Sequence, residues 1–125
     1  MYVVFDTSEY GVLRFILFTQ DQEFQKIVSQ KNKELLREFD IFLQEHGHTI
    51  QDITAIAVVV GVGSFTSTRI AVTVANMFAY TNDMLVSSIA SKSVYTYSEL
   101  TKLFTNIKKH HYIHAIYSSN PYTIC

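Results

Sequence analysis

Chemistry in this chain of 125 residues would begin at Gly61-Val62-Gly63-Ser64-Phe65-Thr66, a glycine turn between the apolar run Ala55 to Val60 and a stretch of helical period. Unpaired backbone N–H groups at a helix N-terminus attract anions, so such a turn suits a phosphate. The match to a nucleotide site is incomplete. A Walker loop needs Gly-Lys-Ser/Thr, and Ser64-Phe65-Thr66 brings no lysine. A dinucleotide fingerprint needs Gly or Ala where Thr66 stands and an acid closing the next strand, whereas Asp83 precedes that strand. The structural alternative is a tight turn in which Ser64 or Thr66 caps the helix. Asp6-Thr7-Ser8 forms a second polar cluster. Asp6 suits metal or phosphate chemistry if something closes over it; otherwise the three residues satisfy their own turn through side chain to backbone hydrogen bonds.

The remaining reactive side chains are less organised. His110 and His114 would align on a helix, beside His111, Lys108 and Lys109, but no cysteine or carboxylate is near enough in sequence to complete a metal site. The dipole at a helix end accounts for that basic cluster. His46 and His48 flank Gly47 and read the same way. No Ser-His-acid, Cys-His or paired-carboxylate arrangement emerges, and the chain reads as a non-enzyme without cofactor or metal. Ser67, Ala71, Ala75 and Ala79 recur every fourth residue, which stacks them on one helix face and admits another backbone closely. That face either packs on the chain's own sheet or meets a partner helix. In the partner reading, Leu35, Phe39 and Phe42 of an earlier helix supply the other half of the surface, and Ile70, Val74 and Met77 serve the core. Arg69 is the charged residue best placed to anchor the loop or the partner.

These residues need a scaffold, and the composition supplies one. Hydrophobic residues make up 48% and charged residues 17%, enough for the core of one compact domain and unlike a disordered chain. A formal charge of -1 disfavours autonomous binding of tRNA or DNA. The longest apolar stretch, from Ile56 to Val62, falls far short of the ~20 residues of a membrane span. No basic and apolar leader opens the chain, and the single cysteine, Cys125, fits neither a disulfide framework nor a prenylation box, so a cytoplasmic location is expected.

Met1 to Phe5, Val12 to Phe18 and Glu23 to Ser29 read as three antiparallel strands joined by tight turns. From about Gln30 the spacing of Leu35, Leu36, Phe39, Phe42 and Leu43 predicts a helix ending at Gly47. Thr49 and Asp52 suggest a capped turn. Ala55 to Val60 is a strand buried on both faces, followed by a helix to Asn82 and a parallel strand, Leu85 to Ser88. Val94, Tyr97, Leu100, Phe104 and Ile107 predict a further helix, and Tyr112 to Tyr117 a last strand-like piece. The fold class is α/β, a mixed five-stranded sheet flanked by helices in the order β-β-β-α-β-α-β-α.

The segment AIAVVVGVGSFTSTRIAVTVANMFA, followed by LVSSIAS, resembles the TsaB (YeaZ) family, whose signature is a buried strand, G-P-G-S-F-T-G-x-R-I-G, a small-residue helix and V-S-S-L. Gly61, Gly63, Ser64, Phe65, Thr66, Arg69 and Ile70 match, as do Val86, Ser87 and Ser88. Asp6-Thr7-Ser8 matches the family's D-T-S, and Lys33 to Leu36 resembles its S-E-x-L-L-P helix. Val62 replaces a proline, Ser67 and Ala71 replace glycines, and Arg37 stands where the first helix carries its proline. The resemblance implies a single actin-like, ribonuclease H-like lobe over residues 1–108. It makes residues 109–125 the remnant of a missing second lobe, in which Ala115 to Tyr122 looks like a worn A-I-D-A-R-x-G-E-V-Y hairpin.

The implied role is a non-catalytic one. TsaB pairs through helices with its relative TsaD, which carries the transferase chemistry, and with the ATPase TsaE they make threonylcarbamoyladenosine in certain tRNAs. A TsaD-like partner, a TsaE-like ATPase and a homodimer through the same helices are the assemblies expected. The alternative function is an ATP- or ADP-binding domain using the Asp6 turn and the Gly61–Thr66 loop, Asp6 then acting as the first-strand aspartate does in actin-like ATPases.

Overall fold

The computed structural model describes residues 1–7, 12–29, 35–60, 65–90, 96–108 and 112–113, with the side chains of residues 29, 65–67 and 90 left undescribed. Its strands are β1 (Tyr2–Asp6), β2 (Val12–Phe18), β3 (Glu23–Ser29), β4 (Ala55–Val60) and β5 (Leu85–Ala90). The helices are α1 (Leu35–Glu45), α2 (Phe65–Asn82) and α3 (Tyr97–Thr105), with one 3-10 turn at Ile50–Asp52.

The sheet order is β3-β2-β1-β4-β5. β1, β2 and β3 form the antiparallel half, in which Tyr2 faces Phe18 and Leu13 faces Val28. β4 has no polar position at all, and all six of its residues are buried. It lies parallel to β1, with Val3 beside Ile56, and parallel to β5, with Ile56 beside Val86. The α2 connection between β4 and β5 is the crossover that parallel pairing requires.

The two faces carry different cores. On one, Phe39 of α1 sits edge-on to Phe5 at 5.0 Å and tilted against Phe15 at 5.4 Å, and α2 adds Ala71, Val72, Val74, Ala75 and Ala79. On the other, Leu100 and Phe104 of α3 cover Val4, Ile16, Ala55, Ala57 and Val59. There Tyr97 stacks on Tyr2 with ring centres 4.9 Å apart. Because the Thr101 hydroxyl donates to the Tyr97 carbonyl, it accepts from the Tyr2 hydroxyl at 3.0 Å. Burial, and the neighbouring Tyr2, push the Tyr97 phenol above its ordinary pKa.

Helix ends follow local chemistry. α1 stops as expected at Gly47, whose φ of +76° is left-handed. The Gly47 N–H donates to the Gln44 carbonyl and the His48 N–H to the Leu43 carbonyl, the paired bonds of a Schellman turn. Thr96 caps α3 by accepting from the Glu99 N–H at 3.1 Å. The Thr49 N–H donates to the Asp52 carboxylate at 3.0 Å, as the sequence suggested. α3 is shorter than the expected Val94 to Ile107, and β5 runs two residues further than expected. Tyr112 and Ile113, the described part of the expected last strand, belong to neither strand nor helix.

Candidate partner-binding face

Helix α2 decides what this lobe shows to solvent. At 100° per residue, Thr68, Ala71, Ala75 and Ala79 fall on one side, and that side is buried against the sheet. Small side chains bring the helix axis close to β4, while Val72 and Val74 fill the flanks of the contact. The opposite side carries Ile70, Met77 and Tyr80, which are 42%, 40% and 73% exposed, together with Arg69 and Thr73. Ile70 and Met77, seven residues apart, line up almost along the helix axis, and Tyr80 continues the stripe.

Of the two readings of the small-residue face, packing on the chain's own sheet is the one this burial fits. Ala71 and Ala75 belong to the chain's own core, and of the three residues expected to serve it only Val74 does so. Leu35, Phe39 and Phe42 on α1 are likewise core residues, with Phe39 and Phe42 only 1% exposed. A partner could reach them only by opening the lobe, because their side chains already fill the layer between α1 and the sheet. The accessible apolar residue of α1 is Leu36, next to Leu35 and 47% exposed. The Phe39–Phe78 contact at 5.7 Å sets the two helices side by side. Leu36, one turn before Phe39, therefore flanks the α2 stripe. Arg69 is exposed, consistent with an outward role, and Ser67 lies in α2 with its side chain undescribed.

The family-motif residues separate by strand parity. Phe5 and Thr7 point to the α2 face, whereas Asp6 points to the α3 face, directly opposite Arg14 in the antiparallel register. An acid facing a base across two strands is a favourable pairing. Thr7 and Thr68 are buried and their hydroxyl oxygens are 3.2 Å apart, joined by a hydrogen bond that ties the end of β1 to the first turn of α2. Neither Arg14 nor Thr68 stood out in the sequence, since only the register and the helix docking reveal their partners. Ser8, Gly61, Gly63 and Ser64 lie outside the described residues, as do His110, His111, His114 and the segment Ala115 to Tyr122; Phe65 and Thr66 open α2 without described side chains. Among the described residues no three His, Cys, Asp or Glu side chains converge, and no helix is long and apolar enough to cross a membrane.

Two charged contacts brace the edge of the sheet away from α2. Lys26 of β3 donates to Glu45 at 2.7 Å and lies 3.8 Å from Glu38, both on α1. The hydrogen bond from Lys26 holds the Glu45 carboxyl below its ordinary range. Nearby, the His46 ring stacks on Phe24 at 4.2 Å and meets Phe42 edge-on. The α1 face toward β3 is thus occupied.

A mixed sheet in this order, with its helices split between the two faces, is the lobe of the actin-like ATPase fold. Residues 26–107 match the family model described as TsaD, tRNA N6-adenosine threonylcarbamoyltransferase, and the chain belongs to that family. Among solved structures it is similar to YeaZ from Pseudomonas aeruginosa, with 24% identity and a TM-score of 0.64 over 71% of this chain. A second structure, of an uncharacterized protein with similarity to peptidase YeaZ from Pseudomonas aeruginosa, gives the same identity, TM-score and cover of this chain. The chain spans only 44% and 42% of the lengths of those two proteins. No curated protein matches.

Proposed function

We propose that this chain is a non-catalytic, TsaB-like accessory lobe that pairs with a TsaD-like protein and supports threonylcarbamoyladenosine modification of tRNA in the cytoplasm. The observation that carries the reading is the exposed stripe Ile70, Met77 and Tyr80 on α2, flanked by Leu36, in a lobe with the fold of YeaZ. Contiguous apolar residues on one side of a helix are a docking surface for another helix. Arg69 adds a charge at the start of the stripe, and the partner supplies the transfer chemistry. Residues 1–108 act as the docking lobe.

The position of Asp6 supports the accessory reading over nucleotide binding, since strand parity turns it toward Arg14 and α3 and away from the start of α2. Size-exclusion chromatography with light scattering, on the chain alone and with the TsaD-like protein of the same source, tests the pairing. A one-to-one complex is expected. Elution of two unmixed species would overturn it, and a homodimer that excludes the partner would assign the stripe to self-association. A TsaE-like ATPase added to the mixture is expected to join only when the TsaD-like chain is present. Calorimetric titration with ATP and magnesium is expected to give no heat of binding; micromolar affinity would revive the nucleotide reading.

A further inference from the structure

The outer side of α2 carries a thioether at its centre. Met77 is 40% exposed, seven residues after Ile70 and three before Tyr80, so a helix laid along the stripe covers its sulfur. The other two methionines are placed differently. Met84 is buried at 3% exposure, and Met1 packs half-buried against the core under α1 and α2. The hydroxyls one turn to either side of Met77 are already spent. Thr73 donates to the Arg69 carbonyl and Thr81 to the Met77 carbonyl, each at 2.9 Å. A hydroxyl has a single proton to give, and both go to the helix backbone. The surface around Met77 therefore suits a group that needs no hydrogen-bond partner, and a thioether is such a group.

Resting on the α2 stripe as the docking surface, we propose that Met77 is an oxidation site through which a peroxide releases the TsaD-like partner. The thioether sulfur gives an electron pair to one peroxide oxygen, and the O–O bond breaks. That oxygen stays on sulfur as the sulfoxide; with hydrogen peroxide, the other leaves as water once it has taken up the remaining proton. Sulfur is oxidised and the peroxide reduced by the same electron pair. The product is polar and a strong acceptor. In the free lobe its oxygen is hydrated, but under a docked helix it loses that water, and Thr73 and Thr81 have no proton to offer it. An acceptor buried unpaired weakens association by about tenfold or more. The lobe itself stays folded, because Met77 belongs to neither core cluster. Docking shields the sulfur, so the site responds in the unpaired lobe, and methionine sulfoxide reductases restore it.

The test treats the full chain with hydrogen peroxide, removes the peroxide, maps sulfoxide by peptide mass spectrometry and only then adds the TsaD-like protein. Met77 is expected to oxidise well before Met84, with the melting temperature within about 2 °C of the untreated chain. The dissociation constant for the partner rises about tenfold or more, in step with Met77 sulfoxide and not with oxidation of Met1 or Cys125. It returns after treatment with methionine sulfoxide reductase. In Met77→Leu, whatever its own affinity, peroxide produces no change. Equal oxidation rates at Met77 and Met84 in the chain alone overturn the proposal, a result that needs no partner and no variant. An unchanged dissociation constant at full Met77 oxidation, or an equal loss in peroxide-treated Met77→Leu, overturns it while leaving the docking surface in place. If the untreated chain forms no complex, the docking reading fails and the oxidation switch with it.

Discussion

Replacing Ala75 by leucine separates the two roles that the sequence offers for the small-residue face of α2. Ala75 is fully buried between α2 and the sheet, with Ala71 and Ala79 one turn to either side on the same face. A leucine there adds three carbons where the helix approaches the sheet most closely. Either the helix lifts, loosening the contacts of Ala71 and Ala79, or neighbouring side chains leave their preferred rotamers. Overpacking of this kind costs about 1–3 kcal/mol. For a chain of this size each kcal/mol moves the melting temperature by about 4 °C, so a fall of about 8 °C is expected at the middle of that range. Circular dichroism melts of wild type and Ala75→Leu measure it, with Ile70→Asp on the outer side as the reference. Ile70→Asp should melt within about 2 °C of wild type, as surface changes do. If Ala75→Leu instead melts like wild type while Ile70→Asp collapses, the helix is docked by its other face.

Phe39→Ala removes a ring that touches Phe5, Phe15 and Phe78, and should cost about 3–5 kcal/mol in a urea titration. Gly47→Ala meets no atom within 4 Å but must hold a φ of +76°, so a loss of about 1 kcal/mol by the same titration is expected from backbone strain alone. The lowered pKa of Glu45 means that its bond to Lys26 adds stability above the unfolded carboxyl range and that this is lost as pH falls through the folded value. In Lys26→Met, the Glu45 carboxyl followed by NMR should titrate at higher pH than in wild type; an unchanged midpoint would remove Lys26 as the cause.

The strands were the legible part of the sequence because their signals are local. The apolar runs of β1, β2 and β4 each mark a strand, and the parallel β4–β5 pairing follows from the length of the connection. The face of α2 was not legible. Ile70, Val74 and Met77 compete with Thr68, Ala71, Ala75 and Ala79 for the inward side, and hydrophobicity favours the larger set. Close approach to a flat sheet decides otherwise, since small residues belong where the helix axis is nearest and bulky ones at the flanks. For α1 the amphipathic period shows which residues share a face but not what covers it: Leu35, Phe39 and Phe42 suit a partner surface by sequence and in the structure lie in the lobe's own core. Asn76 gave no signal at all, because its partner is the backbone of Ile113, 37 positions along the chain. Asp6 and Arg14 could be paired only once the β1–β2 register was known.

Whether the outer stripe of α2 meets a TsaD-like chain is read from the scattered mass of the two proteins mixed, with wild type and with the double variant Ile70→Asp, Met77→Asp. Both residues are exposed, so the double variant should melt close to wild type. A one-to-one complex is expected with wild type and two separate species with the variant. A complex that forms equally well with both would contradict that docking and move the interface away from α2.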